Sequence, residues 1–189
     1  MVWSRTPETQ SAWVVAGVAG ELSKDSVALN VLNRGGNKLD PYLNVKANLA
    51  IGPDSGVKRS GKFVVTLVNN TPENGPVYIL GPDPQTDLQS GEYLGFLSLN
   101  LPQYMTDVSF AGSVAHSGKD GATNQFSIPI RIKRGDTQTI EISVTLPATD
   151  SISIAPSARI PPIQWSYEID GQKDNNQPWT DDNARSIGW

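Results

Sequence analysis

Between residues 27 and 169, apolar and polar side chains alternate with a period of two in one short segment after another. Val27, Leu29 and Val31 alternate with Ala28, Asn30 and Leu32. Leu43, Val45, Ala47, Leu49 and Ile51 alternate with Asn44, Lys46, Asn48 and Ala50. Phe63, Val65 and Leu67 alternate with Lys62, Val64 and Thr66. Phe126, Ile128, Ile130 and Ile132 oppose Ser127, Pro129, Arg131 and Lys133, and Ile140, Ile142, Val144 and Leu146 oppose Glu141, Ser143 and Thr145. Successive side chains of an extended chain point to opposite faces, so each segment predicts a strand with one face on a core. Tyr93 to Leu101 is more continuously apolar, as expected of a strand covered on both faces. Ile152 with Ile154, and Ile163 to Ile169, complete the set. Many short strands with turn signals between them predict an all-β fold, a single β-sandwich of immunoglobulin-like architecture.

The 17 glycines and 14 prolines in 189 residues suit many turns better than a helical bundle. Thr71 to Ser90 holds four of those prolines and reads as a long surface loop. Pro129 cannot donate to a ladder, so its strand lies at an edge or carries a bulge there. One helix is expected, between about Pro7 and Ala19. Thr6 is a hydroxyl cap, Pro7 suits the first helical position, and Glu8 sits near the positive end of the dipole. Trp13, Val14 and Val18 would supply its apolar stripe, and Gly17 or Gly20 its end. Asp170 to Trp189 is polar and amide-rich and reads as a tail or loose strap. The chain thus divides into a helical entry over 1–22, a sandwich over 23–170 and a polar tail over 171–189.

Fifteen basic residues against nineteen acidic give a net charge of −4, with no basic stripe to track a phosphate backbone. Nucleic acid is excluded as an expected partner. The absence of cysteine excludes disulfides, thiolate catalysis and Cys-ligated zinc. No apolar run approaches the roughly 20 residues that span a bilayer. Met1 to Gln10 has neither the basic start nor the apolar run of a signal peptide.

The candidate sites each have a plainer reading. Arg134-Gly135-Asp136 is the integrin-recognition tripeptide, yet it sits between two alternating strands where a hairpin needs a glycine turn. His116, the single histidine, is followed by Ser117, Gly118, Lys119 and Asp120 and reads as a solvated loop residue, with no Gly-x-Ser-x-Gly elbow anywhere. Asp87, Glu92, Asp107 and Glu141 could serve as paired carboxylates of a hydrolase. Asp174, Asn175, Asn176, Asp181, Asp182 and Asn183 offer oxygen ligands without the glycine and distal glutamate of an EF-hand loop. No metal or other cofactor is implied. Asn69-Asn70-Thr71 matches a glycosylation acceptor. Exposed rings among Tyr42, Tyr78, Tyr93, Tyr104, Trp165 and Trp179 could stack on sugars, whereas the alternation places Trp165 and Tyr167 in the core.

Several segments, in order, resemble one known family. Val2-Trp3-Ser4-Arg5-Thr6-Pro7-Glu8-Thr9-Gln10 is similar to its Trp-Ser-x-x-Pro-x-x-Gln entry. Val27–Asn33 followed by Gly35-Gly36-Asn37-Lys38-Leu39-Asp40-Pro41-Tyr42-Leu43 is similar to its strand and Gly-Gly-Asn-Lys-Leu-Asp-x-Tyr-Leu element. Phe63–Asn69 with Asn70-Thr71-Pro72 and Gly81-Pro82, then Leu97-Ser98-Leu99-Asn100-Leu101-Pro102, then the Arg131–Pro147 hairpin, continue the series. The resemblance is to the C-terminal region of the actinobacterial proteins known only as domain of unknown function 4012. It covers most of Val2 to Pro147 and is most specific at Gly35–Leu43. Asp40-Pro41 departs from the family's usual residue before the tyrosine.

The resemblance implies a membrane-anchored envelope parent whose β-rich region comes last and lies outside the cytoplasm. This chain would then be an excised domain, attached to the membrane only through an absent upstream helix, with Met1 an introduced start. The implied partners are a cell-envelope protein or the cell-wall glycan. No catalytic residues carry over.

Physically, Gly35-Gly36-Asn37 permits a sharp reversal after its strand. Leu39 and Leu43 would anchor the loop, and Lys38 and Asp40 would pair or bond to it. Asn37, Lys38, Asp40 and Tyr42 are therefore the candidate ligand-binding residues. The functional expectation is a non-catalytic module mediating contacts or assembly. A carbohydrate-binding module for wall polymer and a carboxylate hydrolase are the alternatives.

Overall fold

A computed structural model describes residues 4–15, 20–174 and 178–189, and the alternating segments are strands in it. They are β1 (Ser26–Asn33), β2 (Leu43–Ile51), β3 (Lys58–Asn69), β4 (Tyr93–Pro102), β7 (Thr123–Ile132), β8 (Thr137–Pro147), β9 (Ser151–Ile154) and β10 (Gln164–Ile169). Alternation did not reveal β5 (Thr106–Phe110), β6 (His116–Asp120), β11 (Gln172–Lys173), β12 (Trp179–Thr180) or β13 (Arg185–Gly188). These are short or polar on both faces, so they carry no period-two signal.

Two sheets pack face to face. One runs β13-β9-β1-β4-β7-β6, the other β11-β10-β2-β3-β8-β5, with β12 also on β10. Pairing is antiparallel except for β1 with β9 and β2 with β10, which are parallel. The odd residues of β2 and β3 face inward: Leu43, Val45, Leu49, Ile51, Phe63, Val65 and Leu67 are all buried. From the other sheet they meet Val27, Leu29, Leu97, Leu99, Ile128, Ile130 and Ile132 in one core. The chain is an all-β sandwich, as the alternation implied.

Several expectations change in detail. Arg131–Pro147 is not a hairpin. β7 pairs with β4 and β6, whereas β8 pairs with β3 and β5, so the Lys133–Asp136 turn carries the chain across the sandwich. Alternation shows that each strand buries one face but not whether two successive strands share a sheet. His116 to Asp120 is an exposed edge strand, not a loop. The polar C-terminal stretch is part of the sandwich: β13 lies on β9, and Ile187 is buried among the core residues. β4 is buried on both faces only from Leu97 to Pro102. There the outward Ser98 and Asn100 are hydrogen-bonded by Gln125, Asp120 and Thr123. Pro129 fits its prediction, because β6 covers β7 only as far as Ser127 and the proline lies at the uncovered edge beyond.

Helix α1 (Pro7–Val15) forms, and its first backbone bond runs from the Gln10 N–H to the Thr6 carbonyl. The expected stripe does not pack on the sandwich. No residue of the helix is buried, and Val14 and Val15 are exposed. Val18, Gly17 and the expected end at Ala19 lie outside the described residues. Among the described residues no helix is long and apolar enough to cross a membrane.

Candidate functional site

The segment from Gly35 to Leu43 leaves β1 in one sheet and enters β2 in the other, closing one end of the sandwich. Gly36 takes φ +64°, a left-handed backbone that glycine adopts without strain. Asn33, the last residue of β1, organises the turn. Its Oδ1 accepts the Gly35 N–H at 2.8 Å, and its amide donates to Asn37 Oδ1 at 3.0 Å and Asp40 Oδ2 at 3.1 Å. Asn37 in turn donates to the Glu92 carbonyl at 3.2 Å, and the Lys38 N–H to the Ile79 carbonyl at 3.0 Å. Leu39 and Leu43 are fully buried anchors, as the sequence implied. Asp40-Pro41-Tyr42 forms a single 3₁₀ turn, a shape that the fixed φ of proline favours.

Asp40 is the centre of this network. Its Oδ1 accepts the phenol of fully buried Tyr93 at 2.8 Å. Burial, reinforced by the neighbouring carboxylate, pushes that phenol far above its ordinary range. Arg159 reaches in from the β9–β10 connection, and its Nη2 donates to the backbone carbonyls of Asp40, at 3.0 Å, and Leu43. Of the four candidate residues, Asn37 and Asp40 are therefore committed to holding the loop. Tyr42 is half-buried against the core. Lys38 does not pair with Asp40. It is exposed, with its ammonium 5.4 Å from the ring centroid of Tyr78. Arg159 and Tyr78 were not legible as partners of this loop. The available hint for Arg159 is a lone guanidinium in an otherwise apolar Ala-Arg-Ile-Pro-Pro stretch.

The same end of the sandwich carries an ion triad. Arg131 donates Nε to Glu92 at 2.8 Å and Nη1 to Asp87 at 2.9 Å. Glu92, with a side chain only 4% exposed, also accepts the Gln89 N–H. The arginine holds both carboxyls below their ordinary range. A general acid needs the opposite, a carboxyl held protonated. Asp107 and Glu141 lie on the second sheet, apart from this pair, and Glu141 is bonded to Lys62 at 2.9 Å.

The remaining candidates resolve individually. Arg134 folds back onto the carbonyls of Glu73 and Ser90, and Gly135 takes φ +80° in the crossing turn. The tripeptide thus forms a turn, with its arginine committed to the fold and Gly135 and Asp136 exposed. Asn69 is fully buried, with its amide on the Gly91 and Ile132 carbonyls and its Oδ1 on Thr71, so it offers nothing to a glycan. Asp181 is buried and accepts the Ile163 N–H at 2.8 Å, and burial raises its carboxyl. Asp174 pairs with Arg185, and Asp182 accepts the Thr180 hydroxyl. Asn183 is exposed, while Asn175 and Asn176 lie outside the described residues. Among the described residues no group of acidic and histidine side chains is arranged to hold a metal.

Of the six rings considered for stacking, Tyr78 alone is exposed, at 68%. Tyr93 and Trp165 are buried, and Tyr42, Tyr104 and Trp179 are half-buried. Tyr167 packs on the core beside Trp179, with ring centroids 5.7 Å apart. No two of the six make an exposed platform for a sugar.

Fold and site together define an all-β sandwich domain with a braced loop at one end. No family model matches the chain, and no curated protein matches it in sequence. Among solved structures it is similar to a candidate nutrient-binding protein from Legionella pneumophila subsp. pneumophila str. Philadelphia 1. The identity is 8% and the TM-score 0.43, over 75% of this chain and 53% of that one. The chain thus spans about half the length of that protein.

Proposed function

We propose that this chain is a non-catalytic extracytoplasmic module of a membrane-anchored actinobacterial envelope protein, related to the C-terminal region of domain of unknown function 4012. In this reading it contacts another envelope protein through the loop-bearing end of the sandwich. The observation that carries the contact role is the bracing of Gly35–Leu43. Asn33, Asp40 and Tyr93 spend their side-chain polar groups on the shape of the loop, Arg159 adds its Nη2, and Lys38 and Tyr78 are left outside it. A loop held rigid by its scaffold binds at a smaller entropic cost than one that must order. The ion-paired state of Asp87, Glu92 and Glu141 supports the non-catalytic half.

A photo-crosslinking residue at position 78, in cells of the source organism, tests the reading. A discrete protein adduct that weakens in Lys38→Glu is expected. No adduct from a folded protein outside the cytoplasmic membrane overturns it. A saturable tryptophan fluorescence shift with soluble wall-polymer fragments, lost in Tyr78→Ala, would replace the protein partner with the glycan. Loss of function in Glu92→Gln with the fold intact would end the non-catalytic reading.

A further inference from the structure

Most edges of the two sheets carry a device against further pairing. β6 is polar, wholly exposed and bears Lys119; β5 is broken by an irregularity between Thr106 and Ser109, with Asp107 at φ +50°. β11 and β13 are two and four residues long. Charge, bulges and short length are the usual protections of an exposed edge. β1 has an additional edge inside its sheet. β9 pairs with it only at Ser26 and Val27, and the last bond runs from the Ala155 N–H to the Val27 carbonyl at 2.8 Å. The next residue is Pro156, which has no N–H to continue the ladder. From there the chain leaves for the other sheet.

Backbone groups two residues apart on a strand point to the same side. Leu29, Val31 and Asn33 therefore direct their N–H and C=O groups into the lane that β9 vacates, as Val27 does. The Arg34 N–H, of the opposite parity, bonds to Leu94 on the β4 side. Among the described residues the β9 ladder stops at Val27, and no loop backbone group bonds Leu29, Val31 or Asn33 from the vacated side. Leu29 is covered, whereas Val31 and Asn33 are half-buried and reachable. A groove of about 340 Å³ opens beside Val31, lined by Asn30, Leu32 and Asp40 on one side and by Ala158, Arg159 and Ile160 on the other. Leu32 and Ile160 flank it as exposed apolar side chains, at 54% and 79%. Arg159 supplies the charge. Its Nε is buried without a hydrogen-bond partner and its Nη2 is on the loop carbonyls, but no carboxylate forms an ion pair with it among the described residues.

We propose that the Val31–Asn33 edge of β1 accepts an extended peptide segment of a partner protein, with an acidic side chain directed at Arg159. Main-chain bonds to Val31 would supply affinity, apolar side chains would cover Leu32 and Ile160, and the carboxylate would set register. This deepens the contact-module reading and rests on it. Crosslinking at position 78 leaves the β1 edge untouched, so failure of the peptide site and failure of the contact-module reading are told apart.

The test selects a displayed library of random short peptides on the intact domain. Selected peptides are expected to alternate and to share one Asp or Glu, with amide shifts centred on Val31, Asn33 and Arg159. Replacing that acid by its amide should weaken binding about tenfold, the scale of one charge-assisted bond. N-methylation of alternate peptide amides should abolish binding in one register and spare it in the other, with the protein unaltered. No enrichment, unchanged binding by both N-methylated peptides, or shifts confined elsewhere would overturn the proposal. So would a concentration-dependent dimer showing the same shifts without peptide, which would give the edge to a second copy of the chain.

Discussion

Asp40 joins three parts of the molecule: the β1 terminus through Asn33, the core through Tyr93, and the β9–β10 connection through Arg159. Truncation to alanine leaves the buried Tyr93 hydroxyl without its acceptor, at a cost of about 1–3 kcal/mol. Asp40→Asn keeps an acceptor oxygen and should lose less. Chemical denaturation of both variants checks the order, and equal losses would mean that the carboxylate does not brace the loop. Glu92 makes the corresponding prediction in pH. Its folded-state carboxyl titrates below the ordinary value of 4.5 because Arg131 favours the charged form. The stabilisation is therefore complete above that value and is lost as pH falls through the folded-state pKa. Asp181 has the opposite sign: its raised carboxyl favours the folded state as protons bind. Midpoints measured from pH 6 downward should fall in the native chain and fall less steeply in Glu92→Gln.

At the scale of elements, the C-terminal stretch matters most. It is polar on average, yet Ile187 is 1% exposed and packs in the core, and the Trp189 indole donates to the Pro147 carbonyl at 3.0 Å. Ile187→Ala should cost about 2–5 kcal/mol, the range for a buried isoleucine. A loose strap would show no change in the unfolding midpoint. The crossing turn teaches a related lesson. Ile128 to Ile132 and Ile140 to Leu146 announced two strands with one buried face each, and both are present. Their membership of opposite sheets rests on the reach of a four-residue turn, Lys133 to Asp136, and on the partners waiting in β4 and β3. Alternation carries no record of those partners.

For the whole molecule, the two parallel pairings join distant parts of the chain. Ser26 lies beside Ser153, and Lys46 beside Gln164. Contacts so far apart in sequence require loop closure before they contribute, and sandwiches dominated by them fold in about milliseconds to seconds. Stopped-flow refolding should therefore lack a major microsecond phase. Equilibrium unfolding should show one transition when tryptophan fluorescence and far-ultraviolet dichroism are compared, because one core joins both sheets. Separate midpoints would show that the sheets unfold independently.

The sequence by itself determined the strands with one buried face, the leucine anchors of the Gly35–Leu43 loop, the core place of Trp165 and the break in pairing, by edge or bulge, at Pro129. Each follows from a local rule: side-chain period, backbone freedom or a missing donor. The tertiary structure decided which strands share a sheet, that the polar C-terminus completes one of them, and that Asp40 meets Tyr93 and Arg159. It also decided that β1 is left with an uncovered edge beyond Pro156. These are relations between residues tens of positions apart, held by packing and hydrogen bonds that exist only once the two sheets have closed on each other.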